Sequence, residues 1–211
     1  MSRLAVNPNR MELLKLKRRA AVAVRGHKLL KDKMDELLKQ FLGLVRENRE
    51  LRAEIEAELA EAYGIFAMAR SEMTAQEVEE ALEYPVAKLR LTAERRSITG
   101  VKVPAFRLTA EGDFDSYGLG LTPASFDDAM RRFNRLVPRL VQLAEVETAV
   151  MVMAMEIEKT RRRVNALEYV LIPSLQETIS YITMKLDELE RFYRTQLMKI
   201  KSMQEASSGA L

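Results

Sequence analysis

Apolar residues recur along the last third of the chain at alternating steps of four and three: Val146, Val150, Met153, Ile157, then Val164, Leu167 and Leu171. After a local change of step the rhythm resumes at Ile179, Ile182, Leu186, Leu189 and Tyr193. This spacing places one narrow apolar seam on a helix, the pattern of a coiled coil rather than of a globular-core helix. It predicts a very long helix from Thr122 to about Met203. About 80 residues at 1.5 Å each would reach on the order of 120 Å, so the helix needs a partner of similar length.

A second seam supplies one. It runs Leu13, Ala20, Ala23, His27, Leu30, Met34, Leu37, Phe41, Leu44, Asn48, Leu51, Ile55, with the helix continuing through Leu59, Ala62, Phe66 and Ala69 to about Ser71. Met1 to Val6 reads as a flexible entry. Pro8 suits a first helical position, and Asn9 with Glu12 has the spacing of an N-cap. Gly26, Gly43 and Gly64 lack turn-forming neighbours and read as tolerated glycines or close-contact points.

Between the seams the character changes. Thr74 and Glu77 have capping-box spacing, so a short acidic helix follows to Glu83 and stops at Pro85. From Val86 to about Leu121, Val101-Lys-Val103 and Phe106-Arg-Leu108 alternate, Ser97-Ile98-Thr99 is β-prone, and Gly112, Gly118 and Gly120 supply turns. One or two hairpins are expected, leaning on a helix or on another protein because two strands alone are marginal in water. Two prolines fall inside the last helix. Pro138 leaves two outcomes open, a break or a kink. Pro173 coincides with the irregular step Leu171, Leu175, Ile179, and both features predict a bend or a straightened segment there. The tail from Glu205 to Leu211 reads as frayed.

The expected fold class is therefore mostly α: a long antiparallel two-helix coiled coil formed by the N- and C-terminal helices, with a small β-hairpin-containing insert. The divisions are 1–72, 73–121 and 122–211. A parallel homodimer competes, but two seams of matching length in one chain meet at high effective concentration.

Composition sharpens what such a chain does. It is 47% hydrophobic, 31% charged and 6% aromatic, with eight Gly, six Pro and no Trp, close to a long-helix protein. The absence of Cys excludes disulfides and thiolate metal sites. No apolar run reaches the length of a membrane span, and charges occupy the N-terminus where a signal peptide would be apolar. The net charge is +3, but through Lys31 nine Lys/Arg face a single acid, Glu12, whereas Leu44 to Glu83 holds eleven Glu against four Arg.

No catalytic signature is present, and no cofactor is expected. A phosphate-binding G-x-x-x-x-G-K-[ST] loop is missing, since no Lys follows Gly118-Leu-Gly120. His27 is the only histidine, so no His cluster can hold a metal; on the seam it is a hydrogen-bonded interior residue or a pH-sensitive element. Glu79, Glu80 and Glu83 read as a solvated helix face. Asn48 on the seam resembles the polar residues that fix coiled-coil register. Met151, Met153 and Met155 read as core filler, though methionine surfaces also adapt to partners. Two basic stretches remain, Lys15-Leu-Lys17-Arg18-Arg19 and Arg161-Arg162-Arg163, each a solvated face or a binding site. A positive end of the coiled coil suits insertion into an acidic collar of protein. The near-neutral total and few aromatics speak against nucleic acid.

Several motifs now point to a family. Asn7-Pro8-Asn9-Arg10-Met11, Leu16-Lys17-Arg18-Arg19, Gly26-His27-Lys28-Leu29-Leu30-Lys31-Asp32-Lys33 and Asp35-Glu36-Leu37 resemble the opening of the D subunit of V-type and A-type rotary ATPases. Ile98-Thr-Gly100-Val-Lys-Val103-Pro104 is similar to that family's central segment. Thr160-Arg-Arg-Arg-Val164-Asn165-Ala166-Leu167-Glu168 with Ile172-Pro173 resembles its C-terminal motif. The match covers nearly the whole chain in order, is looser from Glu72 to Arg96 and in the tail, and fits the prokaryotic type best.

The resemblance implies a non-catalytic central rotor shaft, inserted as an antiparallel coiled coil into a hexamer of catalytic A and B subunits. It further implies pairing with the small F subunit of the central stalk and seating on the funnel-like C (d) subunit, which couples to the membrane ring without membrane insertion by the shaft. The location implied is cytoplasmic, peripheral on the inner face of the cell membrane. Under this reading Arg10, Lys15, Lys17, Arg18, Arg19, Arg191, Arg194 and Lys199 meet the hexamer. Arg161, Arg162, Arg163, Asn165 and Pro173 form a coupling motif, and Val101, Val103 and Phe106 face the F subunit. A coiled-coil scaffold or a nucleic-acid-bridging protein, unrelated to ATPases, is the alternative.

Overall fold

The computed structural model describes residues 5–83, 87–112 and 122–208. The fold is mostly α: helix α1 spans Arg10–Glu72, α2 Ala75–Glu83, α3 Ala124–Ala166 and α4 Ile172–Ser208, with strands β1 (Lys88–Ile98) and β2 (Val101–Glu111) between α2 and α3. It divides into two compact units, one of Met1–Asp35 with Lys159–Leu211, the other of Glu36–Glu158.

The helix starts follow their capping residues. Asn9 Oδ1 accepts the Glu12 N–H at 2.7 Å, satisfying one of the donors left over at the first turn. At α2 the capping box is reciprocal. The Glu77 N–H donates to Thr74 Oγ1 at 3.3 Å, and the Thr74 N–H donates to Glu77 Oε2 at 2.7 Å. The expected stop at Pro85 lies outside the described residues, as do the turns expected at Gly118 and Gly120 and the entry from 1 to 4.

In the 36–158 unit, α1 and α3 run antiparallel. Ion pairs join Arg52 to Glu147, Arg139 to Glu54 and Glu58, and Arg132 to Glu61, the α3 partner falling in number as the α1 partner rises. Beneath these, Ile55, Ala62 and Leu136 are buried with Leu59, Phe133 and Leu143 packed on them. Phe66 stacks against Phe126 and Phe133, the second edge-on at 6.2 Å between ring centres. Pro138 does not break α3, which passes through it as helix; its ring is exposed, on the side away from α1.

Among the described residues of the insert, β1 and β2 form one hairpin. Its turn is made by Thr99 and Gly100, both with positive φ (49° and 80°), the left-handed pair that matches the twist of two antiparallel strands. Register runs from Ile98↔Val101 at the turn to Lys88↔Glu111. Hydrogen-bonded pairs alternate with open ones along such a ladder, so Pro104 opposite Arg95 falls at an open pair and costs the ladder no donor. The hairpin leans on helices, as its marginal size requires. Val101 and Val103 are buried with Leu37, Ala149 and Met153, flanked by Phe41, Leu44, Ile98 and Val152.

In the unit of 1–35 with 159–211, Leu16 and Ala23 of α1 pack on Leu175 and Ile182 of α4. Arg10 pairs with Glu190 and His27 with Glu168, so these segments also run antiparallel. The single long helix expected from Thr122 is two helices joined by a π-helical turn, Leu167–Leu171, in which the Ile172 N–H reaches back five residues to the Leu167 carbonyl. The turn ends two residues before Pro173, whose ring would crowd the Tyr169 carbonyl, four residues back, in a regular helix; a widened turn there relieves that clash. It also carries one more residue than an α-turn, which accounts for the extra step in the seam at Leu171–Leu175.

The seam itself needs correcting in places. Beyond the π turn the buried positions are Ser174, Leu175, Thr178 and Ile182, while Ile179 is partly buried. Thr178 Oγ1 donates to the Ser174 carbonyl at 2.6 Å and Ser174 Oγ to the Leu171 carbonyl at 3.0 Å, so two hydroxyls are accommodated inside without orphaned protons. Leu189 and Tyr193, expected on the seam, are exposed; Tyr193 lies past Glu190, which pairs with Arg10 at the start of α1. The tail expected to fray from Glu205 is helical through Ser208.

Candidate functional site

No group of acidic or histidine side chains suited to a metal occurs among the described residues, and no described helix is long and apolar enough to cross a membrane. What the fold presents instead are surfaces, and the residues singled out from the sequence fall on four of them.

The basic run of α1 is exposed at Lys15, Lys17, Arg18 and Arg19, because Leu16 and Ala20 take the inward positions of that helix turn. Lys15 bonds Glu12 at 2.8 Å. Glu190 of α4 collects two of the expected cations: Arg10 pairs with it directly, and Arg194 approaches at 3.8 Å. Arg10 and Arg194 are thus brought together on one carboxylate. Next to them Lys185 and Glu188 pair at 2.7 Å, which raises the lysine pKa and lowers that of the carboxyl.

Arg191 and Lys199 are exposed on the end of α4 that extends past the start of α1. Every residue from 191 to 204 is exposed there, including Phe192, Tyr193, Leu197, Met198, Ile200 and Met203. The sequence pattern alone continues the seam into this stretch. Its uncovered state depends on where α1 begins, and no local signal in α4 carries that information.

Arg161, Arg162, Arg163 and Asn165 are exposed on the last turns of α3, just before the π turn, while Val164 between them is buried. The next contact along the pair is His27 Nε2 at 3.2 Å from Glu168 Oε2. His27 is thus a partly buried, hydrogen-bonded residue that ties α1 to the π turn. Pro173 is half-buried.

On the hairpin, Val101 and Val103 are turned into the chain's own core and hold the strands to the helices. Phe106 is half-buried, and its backbone N–H donates to Glu145 Oε2 of α3 at 2.8 Å. Between α1 and α3, Asn48 is half-buried in a groove shared with Val45, Arg49, Val150 and Met151. Met153 is core, but Met151 and Met155 are exposed. Glu79, Glu80 and Glu83 lie exposed on α2.

The chain matches the family model for the ATP synthase D subunit over residues 12–202. It is 54% identical over 205 residues to the V-type ATP synthase D subunit of Thermoanaerobacter sp. strain X514, covering 96% of this chain and 98% of that one. To the V-type ATP synthase D subunit of a Type A strain of Clostridium botulinum it is 50% identical over 208 residues, covering 96% of each. A full-length match of this kind, on a chain built of antiparallel helices and one hairpin, places the chain in the D-subunit family of V-type ATP synthases.

Proposed function

We propose that this chain is the non-catalytic central rotor shaft of a V/A-type proton- or sodium-translocating ATPase. It couples ATP hydrolysis or synthesis in a hexamer of A and B subunits to rotation of a membrane ring. The observation that carries this reading is the end of α4. A helix with Phe192, Tyr193, Leu197, Met198, Ile200 and Met203 all exposed is poorly suited to water and well suited to a surrounding collar of protein.

Arg10, Lys15, Lys17, Arg18, Arg19, Arg191, Arg194 and Lys199 would contribute the charged part of that contact. Different sides of the pair, basic on α1 and aromatic on α4, would press on the three catalytic interfaces unequally. Each interface would then hold a different nucleotide state. Arg161, Arg162, Arg163 and Asn165, with Pro173 beyond the π turn, are assigned to coupling. The hairpin region, with Val101 and Val103 beneath it and Phe106 at its edge, is assigned to the small F subunit. The funnel-like C (d) subunit would link the shaft to the ring, placing the chain peripherally on the inner face of the cell membrane.

The test is affinity purification of the tagged full-length chain from its native cell, followed by mass spectrometry. Recovery of A, B and F subunits in fixed ratio supports the shaft reading. Recovery of the chain alone or with nucleoprotein overturns it.

A further inference from the structure

We propose that the outward face of the hairpin is a docking surface for a protein segment whose apolar side chains are followed by Asp or Glu, carried by another subunit of the complex. This deepens, and rests on, the reading of the chain as a subunit of a V-type ATP synthase. The argument begins with the two faces of the hairpin. Side chains alternate along a strand, so the register sorts them without ambiguity. Ile98, Val101 and Val103 share one face, and that face is in the core against Leu37, Ala149 and Met153.

Leu89, Leu91 and Ala93 of β1 lie on the other face, opposite Ala110, Leu108 and Phe106 of β2. An antiparallel sheet with one free side ordinarily shows polar residues there. This one shows leucines that are 47% and 53% exposed, at Leu89 and Leu91. The covered face is apolar only near the turn, at Ile98, Val101 and Val103, and carries charged residues beyond it, so the leucines lie on the face that no described element covers.

Charge supplies the second half of the argument. Toward the turn the same outward face carries Arg95 and Lys102 and no acid, whereas Lys88, Arg90, Arg96 and Arg107 lie on the other face with Glu94 and Glu111. Among the described residues the one ion pair on the hairpin is Arg107 with Glu94, at 3.6 Å and highly exposed. The surface is thus apolar at its far end and positive toward the turn. A complementary partner presents apolar residues followed by carboxylates, and a basic partner would be repelled. Among the described residues the sheet contains β1 and β2 alone and nothing pairs with the outer edge of β1, so an extended partner segment could add to it as a third strand. A simple polyanion such as nucleic acid would use the cations and leave the leucines wet.

The test places a photo-cross-linking amino acid, benzoylphenylalanine, at Leu91 and separately at Leu197, in the complex purified through a tag on its catalytic subunit. Leu91 is expected to cross-link to one other subunit, at a segment with Asp or Glu beside apolar residues. In the same complex, Leu91→Asp and the pair Arg95→Glu with Lys102→Glu are expected to weaken retention of that subunit about tenfold or more. None of these positions lies in the buried cluster under the hairpin, and an unchanged circular dichroism spectrum confirms that the variants fold. If the chain is absent from the complex, the rotor reading and this inference fail together. If the chain is present and Leu197 cross-links while Leu91 does not, the inference alone is overturned. Cross-linking of Leu91 to a basic segment, to nucleic acid or to lipid overturns it equally.

Discussion

Glu145 of α3 accepts, at 2.8 Å, the backbone N–H of Phe106 in β2. Phe106 lies at an open pair of the ladder, so that N–H points away from β1, and the glutamate takes the place a third strand would fill. Replacing Glu145 by Ala leaves a part-buried donor without an acceptor and is expected to cost about 1–2 kcal/mol. Glu145→Gln keeps an oxygen acceptor and is expected to cost less. Hydrogen exchange at the Phe106 amide reads the difference, and equal protection in wild type and the alanine variant would refute the contact.

Leu37 is fully buried where α1, α3 and the hairpin meet. Leu37→Ala is expected to lower stability by about 2–5 kcal/mol, the range for a large side chain removed from a packed core. Thermal or urea unfolding measures this. A loss well under 1 kcal/mol would mean the hairpin is not seated on that side chain.

Arg139 bridges two carboxylates of α1, and its hydrogen bond to Glu58, with help from Glu54, raises its pKa. Exposed pairs contribute little singly, so Arg139→Ala is expected to shift the melting temperature only slightly. Arg139→Glu sets three carboxylates together and should destabilise more, most of all at low salt. Glu58→Arg in the same chain should restore the loss. A salt-independent defect would point to packing instead.

Stability should also depend on pH at the start of α2. The Thr74 N–H and hydroxyl hold the Glu77 carboxyl below its ordinary pKa. A depressed folded-state pKa contributes stability that is fully present above the unfolded value and is lost as pH falls through the folded one. The first turn of α2 is therefore expected to loosen on acidification below the ordinary carboxylate range. Glu77→Gln should remove that dependence, as read by backbone chemical shifts at Thr74 and Glu77.

For the proposed rotor role, Lys17, Arg18 and Arg19 are exposed, so reversing all three to Glu leaves the core positions Leu16 and Ala23 intact. Binding to the A/B hexamer, or ATP-driven rotation, should fall while helicity stays the same. Unchanged assembly and rotation would remove these residues from the interface.

Much of this fold is legible in the primary structure because helices write their contacts at fixed intervals. Leu37, Ile55, Met153, Val164 and Ile182 all fall on the seams by spacing alone. Caps at Asn9 and Thr74 are equally plain, since their chemistry is local. What spacing does not reveal depends on neighbours distant in sequence. Leu16 and Ala149 are buried, although Leu13 and Val150 fit the intervals better, because the partner helix decides which edge of the stripe is covered. Hydropathy favours Ile179 over Thr178, yet a threonine that bonds its own helix backbone can enter a core, and polarity alone hides that. Strand β1 is mostly hidden too: Lys88 to Arg96 is rich in charge, and its conformation comes from pairing with β2 through the Thr99–Gly100 turn. The candidate surfaces are less legible, for exposure is a property of the whole assembly of helices. Val101 and Val103 illustrate this: alternation marks them as apolar strand positions, but not that Leu37, Ala149 and Met153 cover them.

The π turn at Leu167–Leu171 makes the count of residues itself a structural quantity. A turn holding one residue beyond the α-helical number offsets the angular phase of everything downstream by about 100°. Leu175, Thr178 and Ile182 meet α1 only because that offset is present. Winding the same residues as a regular α-helix would bring Ser174, Glu177 and Tyr181 to the angles that Leu175, Thr178 and Ile182 now hold, whereas deleting one residue together with the widening would leave those three in place. Residue number and turn width at this point are therefore read as a pair, much as an inserted letter and a shifted frame are.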